Sequence, residues 1–421
     1  MTAALVLVAA VTASGVACST SDRADSADDA DSTAASPAAT SAPAEPAGPV
    51  APCDSPFADM TQRERIAQLF TVGVSSIADA RRAVEEFNIG GVFIGSGVVG
   101  EVVSGYALAQ LQRDAPLPLL VAIDEEGGRV SRVAPYAGPI PSARVMAATM
   151  SPEEVRAIAR GRGEFLARMG VTVDFAPSLD VSAQPDQSVI GDRSFSADPA
   201  QVITYARAFA TGLLDAGITP VFKHFPGHGR SSGDSHVDSV TVPPLDQLVP
   251  HDLRPFAELA SIPGTGMMLG HQEVPGLTGA DRPASLSPAT YRLLREGHGY
   301  DAPAFKGPIF TDDLSGMRAI SGEYSLPRAV TEALIAGADS PLWITTDGIG
   351  EAVTAVEGAV ANGVLSTEDL DRSLERMADI RRLPECATGP ITGRLAGAGS
   401  LTGPTVSPSP PPPPPLAPLP R

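Results

Sequence analysis

Eight short, nearly continuous apolar runs recur along the middle of the chain: FTVGVS (70–75), GGVFIG (90–95), PLLVAID (118–124), VTVDFAP (171–177), TPVFKHF (219–225), GMMLGHQ (266–272), GPIFTDD (307–313) and SPLWITTD (340–347). A run that is apolar at successive positions, not at alternate ones, reads as a strand buried on both faces, as in a parallel sheet covered by helices. The segments between the runs read as amphipathic helices. In SPEEVRAIARGRGEFLARMG, Ser151 stands as N-cap, Pro152 follows at the first helical position, Glu153 and Glu154 fill the first turn, and Gly170 stands as C-cap. Eight strand and helix alternations predict an α/β fold, a single (β/α)8 barrel. An open doubly wound sheet is the alternative, and the absence of a Gly-rich dinucleotide fingerprint after the first strand favours the barrel.

Both ends break the pattern. Residues 1–18, MTAALVLVAAVTASGVAC, form an apolar run of signal-peptide length that stops at small residues, so export is expected. Its end, Gly15-Val16-Ala17-Cys18, resembles a bacterial lipobox with Cys18 as the lipidated residue, which would anchor the protein to the outer face of the cell membrane; plain secretion is the alternative. Residues 19–51, rich in Ser, Ala, Thr, Pro and Asp, read as a solvated tether, and residues 391–421 as a Gly/Pro-rich tail without enough apolar side chains for a core. The barrel is therefore expected over residues 52–390. Export permits disulfides, and once Cys18 is assigned, Cys53 and Cys386 remain near the two ends of the folded unit. If the barrel brings its ends together, a Cys53–Cys386 bridge would fasten first segment to last; two free thiols are the other outcome.

The polar residues gather where a barrel would use them, since active sites of such barrels lie at the carboxyl ends of the strands. Asp124 closes the third run and leads into EEGGRVSR with Arg129 and Arg132; VIGDRSF, after the fourth run, carries Asp192 and Arg193. The fifth run ends in Lys223-His224, the sixth reaches His271, the seventh ends in Thr311-Asp312-Asp313 and the eighth in Asp347. Such charges are costly at strand ends unless they pair with one another or with a ligand, so together they predict a pocket. Three of the six histidines, His224, His228 and His236, fall within VFKHFPGHGRSSGDSHVD (221–238), beside Asp234 and Asp238.

Carboxylates with a second proton donor and several bidentate side chains suit sugar hydroxyls and glycosyl transfer. A metal hydrolase is the competing class, with His224, His228, Asp234 and His236 as ligands. The segment has neither an HExxH helix nor zinc-knuckle spacing, and the chain has no GxSxG elbow and no phosphate-binding loop. No metal and no cofactor are expected. The net charge of −19, without a Lys/Arg-rich stripe, argues against nucleic acid as a partner.

KHFPGHGRSSGDSH, with IDEEGGRVSR before it, VIGDRSFSADP between and FTDDLSGM after, resembles the β-N-acetylglucosaminidase branch of glycoside hydrolase family three over roughly residues 57–382. The resemblance implies a lone barrel, a carbohydrate substrate and a monomer. It also implies a retaining exo-β-N-acetylglucosaminidase acting on terminal β-linked GlcNAc, by implication in peptidoglycan fragments. It places Asp312 as nucleophile, His236 as acid/base and Asp234 as the carboxylate that orients His236, with Asp124, Arg132, Arg193, Lys223 and His224 holding the sugar. Phosphorolysis in the same pocket, or a non-catalytic sugar-binding lipoprotein, are the alternatives. Asp313 is expected to be a packing or hydrogen-bonding neighbour, Asp347 a turn residue and His228 a loop-shaping residue. Gly227, Gly229 and Gly233 are expected to take φ > 0 and let the loop swing, leaving His236 away from Asp312 until substrate binds.

Overall fold

The computed structural model describes residues 55–383. Cys18, Cys53 and Cys386, and with them the expected leader, tether, tail and disulfide, lie outside the described residues.

Eight parallel strands close into a barrel: β1 (Thr71–Val74), β2 (Gly91–Ile94), β3 (Leu120–Ile123), β4 (Val173–Asp174), β5 (Thr219–Phe225), β6 (Gly266–Leu269), β7 (Ile309–Asp313) and β8 (Ser340–Trp343). Each pairs with its sequence neighbours, and β8 returns to β1 with Thr71 opposite Leu342 and Val72 opposite Trp343. Strands covered by helices on one side and by barrel interior on the other have no wet face, which is why the runs are apolar throughout. The interior is filled. Phe175, one residue past β4, stacks on Phe93 of β2 with ring centroids 5.9 Å apart and meets Phe310 of β7 edge-on at 5.3 Å. Rings from three distant strands touch only across the barrel axis, so the centre is a packed layer and not a pore.

The strands are shorter than the apolar runs, for local reasons. β4 keeps only two residues because Pro177 has no N–H to give the ladder. Pairing continues there as single bonds, Val221 N–H to Ala176 O at 3.1 Å and Leu179 N–H to Lys223 O at 2.6 Å. β8 stops at Trp343, and the Ile344 N–H turns aside to the Ser315 hydroxyl at 3.2 Å. Asp347 therefore closes no strand; it is exposed, and its carbonyl accepts from the Trp343 indole at 3.2 Å.

The helix Pro152–Met169 begins and ends as its caps dictate. Ser151 accepts the Glu154 N–H, Glu154 reaches back to the Ser151 N–H, and Gly170 closes the helix at φ 94°. It packs closely on the helix Pro199–Asp215, where a Cβ on Gly212 would lie 2.3 Å from the Arg156 carbonyl oxygen. Among the described residues no helix is long and apolar enough to cross a membrane.

At the amino-terminal end of the strands, buried Asp339, just before β8, ties together β7, the helix Pro288–Glu296 and the helix Thr367–Arg381. Its carboxylate accepts the Ile309 N–H at 2.7 Å, the Ser373 hydroxyl at 2.9 Å and Arg376 Nη1 at 2.9 Å, and also pairs with Arg295. A cavity of about 530 Å³ opens at this same end, between Thr219, Thr265, Phe305, Pro308 and Arg376, far from the ends where the charged residues gather. Asp339→Ala would leave two guanidinium groups without their shared acceptor, and the expected loss is about 3 kcal/mol of unfolding free energy in urea titration. Removing the exposed Arg372–Asp369 pair by Arg372→Ala should cost no more than about 0.5 kcal/mol.

Candidate active site

The carboxyl end of β3 runs straight into three acids, Asp124, Glu125 and Glu126, which lead into an antiparallel hairpin, Glu125–Gly127 against Val130–Ser131. In extended chain, alternate side chains share a face. Asp124 and Glu126 accordingly face the barrel mouth together, while Glu125 points away. Glu125 holds the hairpin instead, accepting the Ser131 hydroxyl at 2.6 Å, the Arg132 N–H at 2.7 Å and the Val133 N–H at 3.1 Å.

Between Asp124 and Glu126 sits the ammonium of Lys223, from the end of β5. It is 2.7 Å from Asp124 Oδ1 and 2.7 Å from Glu126 Oε1, with its side chain 2% exposed. Arg193 grips Glu126 with two bonds of 2.9 and 2.7 Å, and Arg132 reaches the other oxygen of Asp124 at 3.2 Å. Burial alone would push the Lys223 ammonium down, but Asp124 and Glu126 outweigh it and raise it. Burial alone would likewise raise the Glu126 carboxyl, and Arg193 with Lys223 holds it below the ordinary range. All of these side chains are charged, and each charge is answered. Arg129, from the same hairpin, pairs with Asp192 at 2.7 Å and donates to the carbonyls of Ser188, Val189 and Ile190, which fixes the loop that delivers Arg193.

β7 ends in two acids with different roles. Asp313 folds back and accepts the Ser315 N–H and hydroxyl, both at 2.8 Å, and the Gly316 N–H at 2.9 Å, so it shapes the turn, as expected of it. Asp312 faces the mouth. Its side chain is 20% exposed, and its Oδ2 lies 3.9 Å from His224 Nε2. Burial would raise its carboxyl, but the donors and charges around it, the Asp313 N–H and the Lys223 ammonium among them, outweigh burial and hold it below the ordinary range. His271, at the end of β6, is buried; its Nε2–H donates to the Asp313 carbonyl at 2.9 Å and its Nδ1 meets the Ser285 hydroxyl at 2.7 Å, so it braces this strand end from behind.

The segment after β5 divides at His228. His224 is tied by Nδ1 to Asp180 Oδ2 at 2.6 Å, and its Nε2 is 3.2 Å from Arg193 Nη2. His228 is buried, its N–H bonded to Asp180 Oδ1 at 2.6 Å and its Nε2 to the Ser235 hydroxyl at 3.1 Å; desolvation holds its imidazole down to about 4, so it is a neutral clamp that shapes the loop. From Ser232 to Ser239 the chain is mostly exposed, with Ser235 buried among it. His236 Nδ1 is 2.7 Å from Asp234 Oδ1, and the same oxygen accepts the His236 N–H at 2.9 Å. The His236 side chain is 59% exposed and stands more than 4 Å from Asp312, whose one basic neighbour within that distance among the described residues is His224. Of Gly227, Gly229 and Gly233, only Gly227 takes the expected positive φ, at 119°. Gly229 is small for another reason: a Cβ there would lie 2.1 Å from the Val181 carbonyl oxygen.

The structure thus brings Asp124, Arg132, Arg193, Lys223, His224 and Asp312 together and sets Asp234 and His236 as a pair beside them on the loop. No cluster of His, Cys, Asp or Glu among the described residues has the arrangement to hold a metal ion. Residues 61–380 match the model of the glycosyl hydrolase family 3 N-terminal domain, which spans the whole of this site. The chain belongs to glycosyl hydrolase family 3. It is 49% identical over 323 residues to the β-hexosaminidase LpqI of Mycobacterium tuberculosis, covering 76% of this chain and 83% of that one. It is 34% identical over 261 residues to a β-hexosaminidase of Xylella fastidiosa, covering 60% and 75%. A crystal structure of a family 3 glycosyl hydrolase from Mycobacterium smegmatis matches with a TM-score of 0.75 at 50% identity, covering 78% of this chain and 98% of that one. A family 3 β-N-acetylglucosaminidase from Paenibacillus matches with a TM-score of 0.71 at 30% identity, covering 80% and 65%. This family 3 chain is a glycoside hydrolase of the β-N-acetylhexosaminidase type.

Two residues of the family 3 site escaped the reading of its sequence. Glu126 was visible as the second residue beyond Asp124 and hence on its face, and Asp180 as a lone acid inside the apolar stretch Leu179–Val181. Glu126→Gln would leave Lys223 and Arg193 short of one full negative charge, and a fall in kcat/KM of about tenfold to hundredfold is expected in steady-state assays. In side-chain carboxyl 13C NMR, the Asp312 signal, identified by its loss in Asp312→Asn, should keep its carboxylate shift from pH 8 down to pH 4; a titration midpoint inside that range would contradict the environment described.

Proposed function

We propose that this protein is a retaining exo-β-N-acetylglucosaminidase in which Asp312 is the nucleophile and His236, oriented by Asp234, is the acid/base. The observation that carries this reading is the placement of Asp312. It is a carboxylate held below the ordinary range at the mouth of a barrel whose rim is a preorganised set of charged hydrogen-bonding groups. Asp124, Lys223, His224, Arg193 and Arg132 offer acceptors and donors to the hydroxyls of one terminal sugar, with no side-chain rearrangement needed before binding.

In the first step Asp312 attacks the anomeric carbon as the bond to the leaving oxygen breaks, and that oxygen takes a proton from His236 Nε2. Asp234 accepts from His236 Nδ1, which leaves Nε2 as the reactive nitrogen, and its own carboxyl is kept below the ordinary range, where burial is outweighed by the bonds from His236. In the second step His236 takes a proton from water as the water oxygen bonds the anomeric carbon and Asp312 departs. The exposed position of His236 means that the loop carries it inward once a sugar is bound.

The substrates we infer are peptidoglycan fragments ending in β-linked GlcNAc, and the place of action is outside the cytoplasm. Support for both comes from the family resemblance of KHFPGHGRSSGDSH and from the apolar run that ends at Cys18. A 2-acetamido-5-fluoro glycosyl fluoride should trap a glycosyl-enzyme whose adduct maps by mass to the peptide holding Asp312; an adduct elsewhere would overturn the assignment. His236→Ala should lower turnover about 10²-fold to 10⁴-fold with an unactivated leaving group and much less with an aryl one. Free GlcNAc should be the product with or without phosphate, whereas GlcNAc-1-phosphate would identify a phosphorylase.

A further inference from the structure

We propose that Asp180, on the loop after β4, is a positioning residue that holds the His224 proton on Nδ1 and turns Nε2 to Arg193 as an acceptor, and so keeps Asp312 free to attack. Asp180 is fully buried, and both of its oxygens are engaged. Oδ2 is 2.6 Å from His224 Nδ1 and 3.0 Å from the Ser178 hydroxyl; Oδ1 takes the His228 N–H at 2.6 Å and faces the His224 N–H at 3.4 Å. Every group around this carboxylate is a donor, so His224 Nδ1 donates. On the other side of the ring, Nε2 lies 3.2 Å from Arg193 Nη2. A guanidinium nitrogen only donates, so Nε2 accepts. The two ends of the imidazole specify the same tautomer.

The consequence falls on Asp312, whose Oδ2 is 3.9 Å from that same Nε2. A proton on Nε2 would turn from the Arg193 donor towards this oxygen and hydrogen-bond it, drawing charge from the atom that has to attack. With the lone pair there instead, Nε2 takes a bond from Arg193 and is open to a sugar hydroxyl. The effect on Asp312 rests on its reading as the nucleophile; the tautomer does not.

Nitrogen-15 NMR of histidine-labelled protein, with the His224 signals identified by their loss in His224→Gln, tests the tautomer without substrate. A protonated Nδ1 and an unprotonated Nε2 are expected. Asp180→Asn keeps the shape and the backbone bonds to Oδ1 but turns an NH2 group towards Nδ1. The proton should then move to Nε2, and kcat/KM for an aryl β-GlcNAc glycoside should fall about tenfold to hundredfold with an unchanged circular dichroism spectrum. Wild-type His224 protonated on Nε2, or on both nitrogens, overturns the proposal even if the variant does not fold. So does an Asn variant that keeps the Nδ1 proton, or one that switches tautomer and retains its kcat/KM within about twofold. Failure of the spectrum leaves the nucleophile assignment standing, and that assignment is decided separately by the mapped adduct.

Discussion

The site depends on one ammonium group taken almost wholly out of water. Lys223 is 2% exposed and sits 2.7 Å from each of two carboxylates. An isolated charge in that position would be prohibitively costly, and two unpartnered acids would repel each other. Together the three groups fix one another, and Arg132 and Arg193 complete the set from outside. The closed barrel makes this feasible. β3 and β5 are not adjacent, since β4 lies between them, yet their ends converge on the barrel mouth, where side chains from separate strands meet without any loop having to hold them.

Upon that rigid base the other parts of the site are arranged with graded freedom. Asp312 belongs to a strand, and His271 and the Asp313 turn brace it from behind. His224 belongs to a strand too, with Asp180 fixing its ring. His228 marks the change: buried, uncharged and bonded at both backbone and ring, it anchors the root of a loop whose distal part, with Asp234 and His236, is exposed. On the proposed reading, recognition of one sugar calls for preorganisation, whereas proton transfer to departing groups of varied shape calls for a donor that can approach late. Placing both on consecutive segments of one chain would satisfy the two demands with a single anchor point.

Much of this was legible in the sequence because the barrel uses an unambiguous code. Continuous apolar runs reported strands with two dry faces, and the charged residues that end them reported the mouth. The exceptions have physical reasons. Asp347 looked like the end of the eighth strand, but β8 leaves the sheet at Trp343 when Ile344 bonds to Ser315, a long-range event with no local signal. Gly229 looked like a hinge and is instead a point of close approach to Val181, which depends on tertiary contact alone. Asp180 and Glu126 were passed over because each reads as an ordinary acid until its partner, far away along the chain, is known.

The exposed part of the loop has a closed neck. The Ser232 N–H bonds to the Thr241 carbonyl at 2.8 Å, and the Thr241 N–H returns to the Ser232 hydroxyl at 3.0 Å, so residues 232–241 form a cassette whose two ends meet. A segment whose ends are already joined can be lengthened, shortened or exchanged at small entropic cost to the rest of the chain. On the proposed reading, variation within the cassette that keeps Ser235, which holds His228, would retune which leaving group His236 meets, while the strand ends stay as they are.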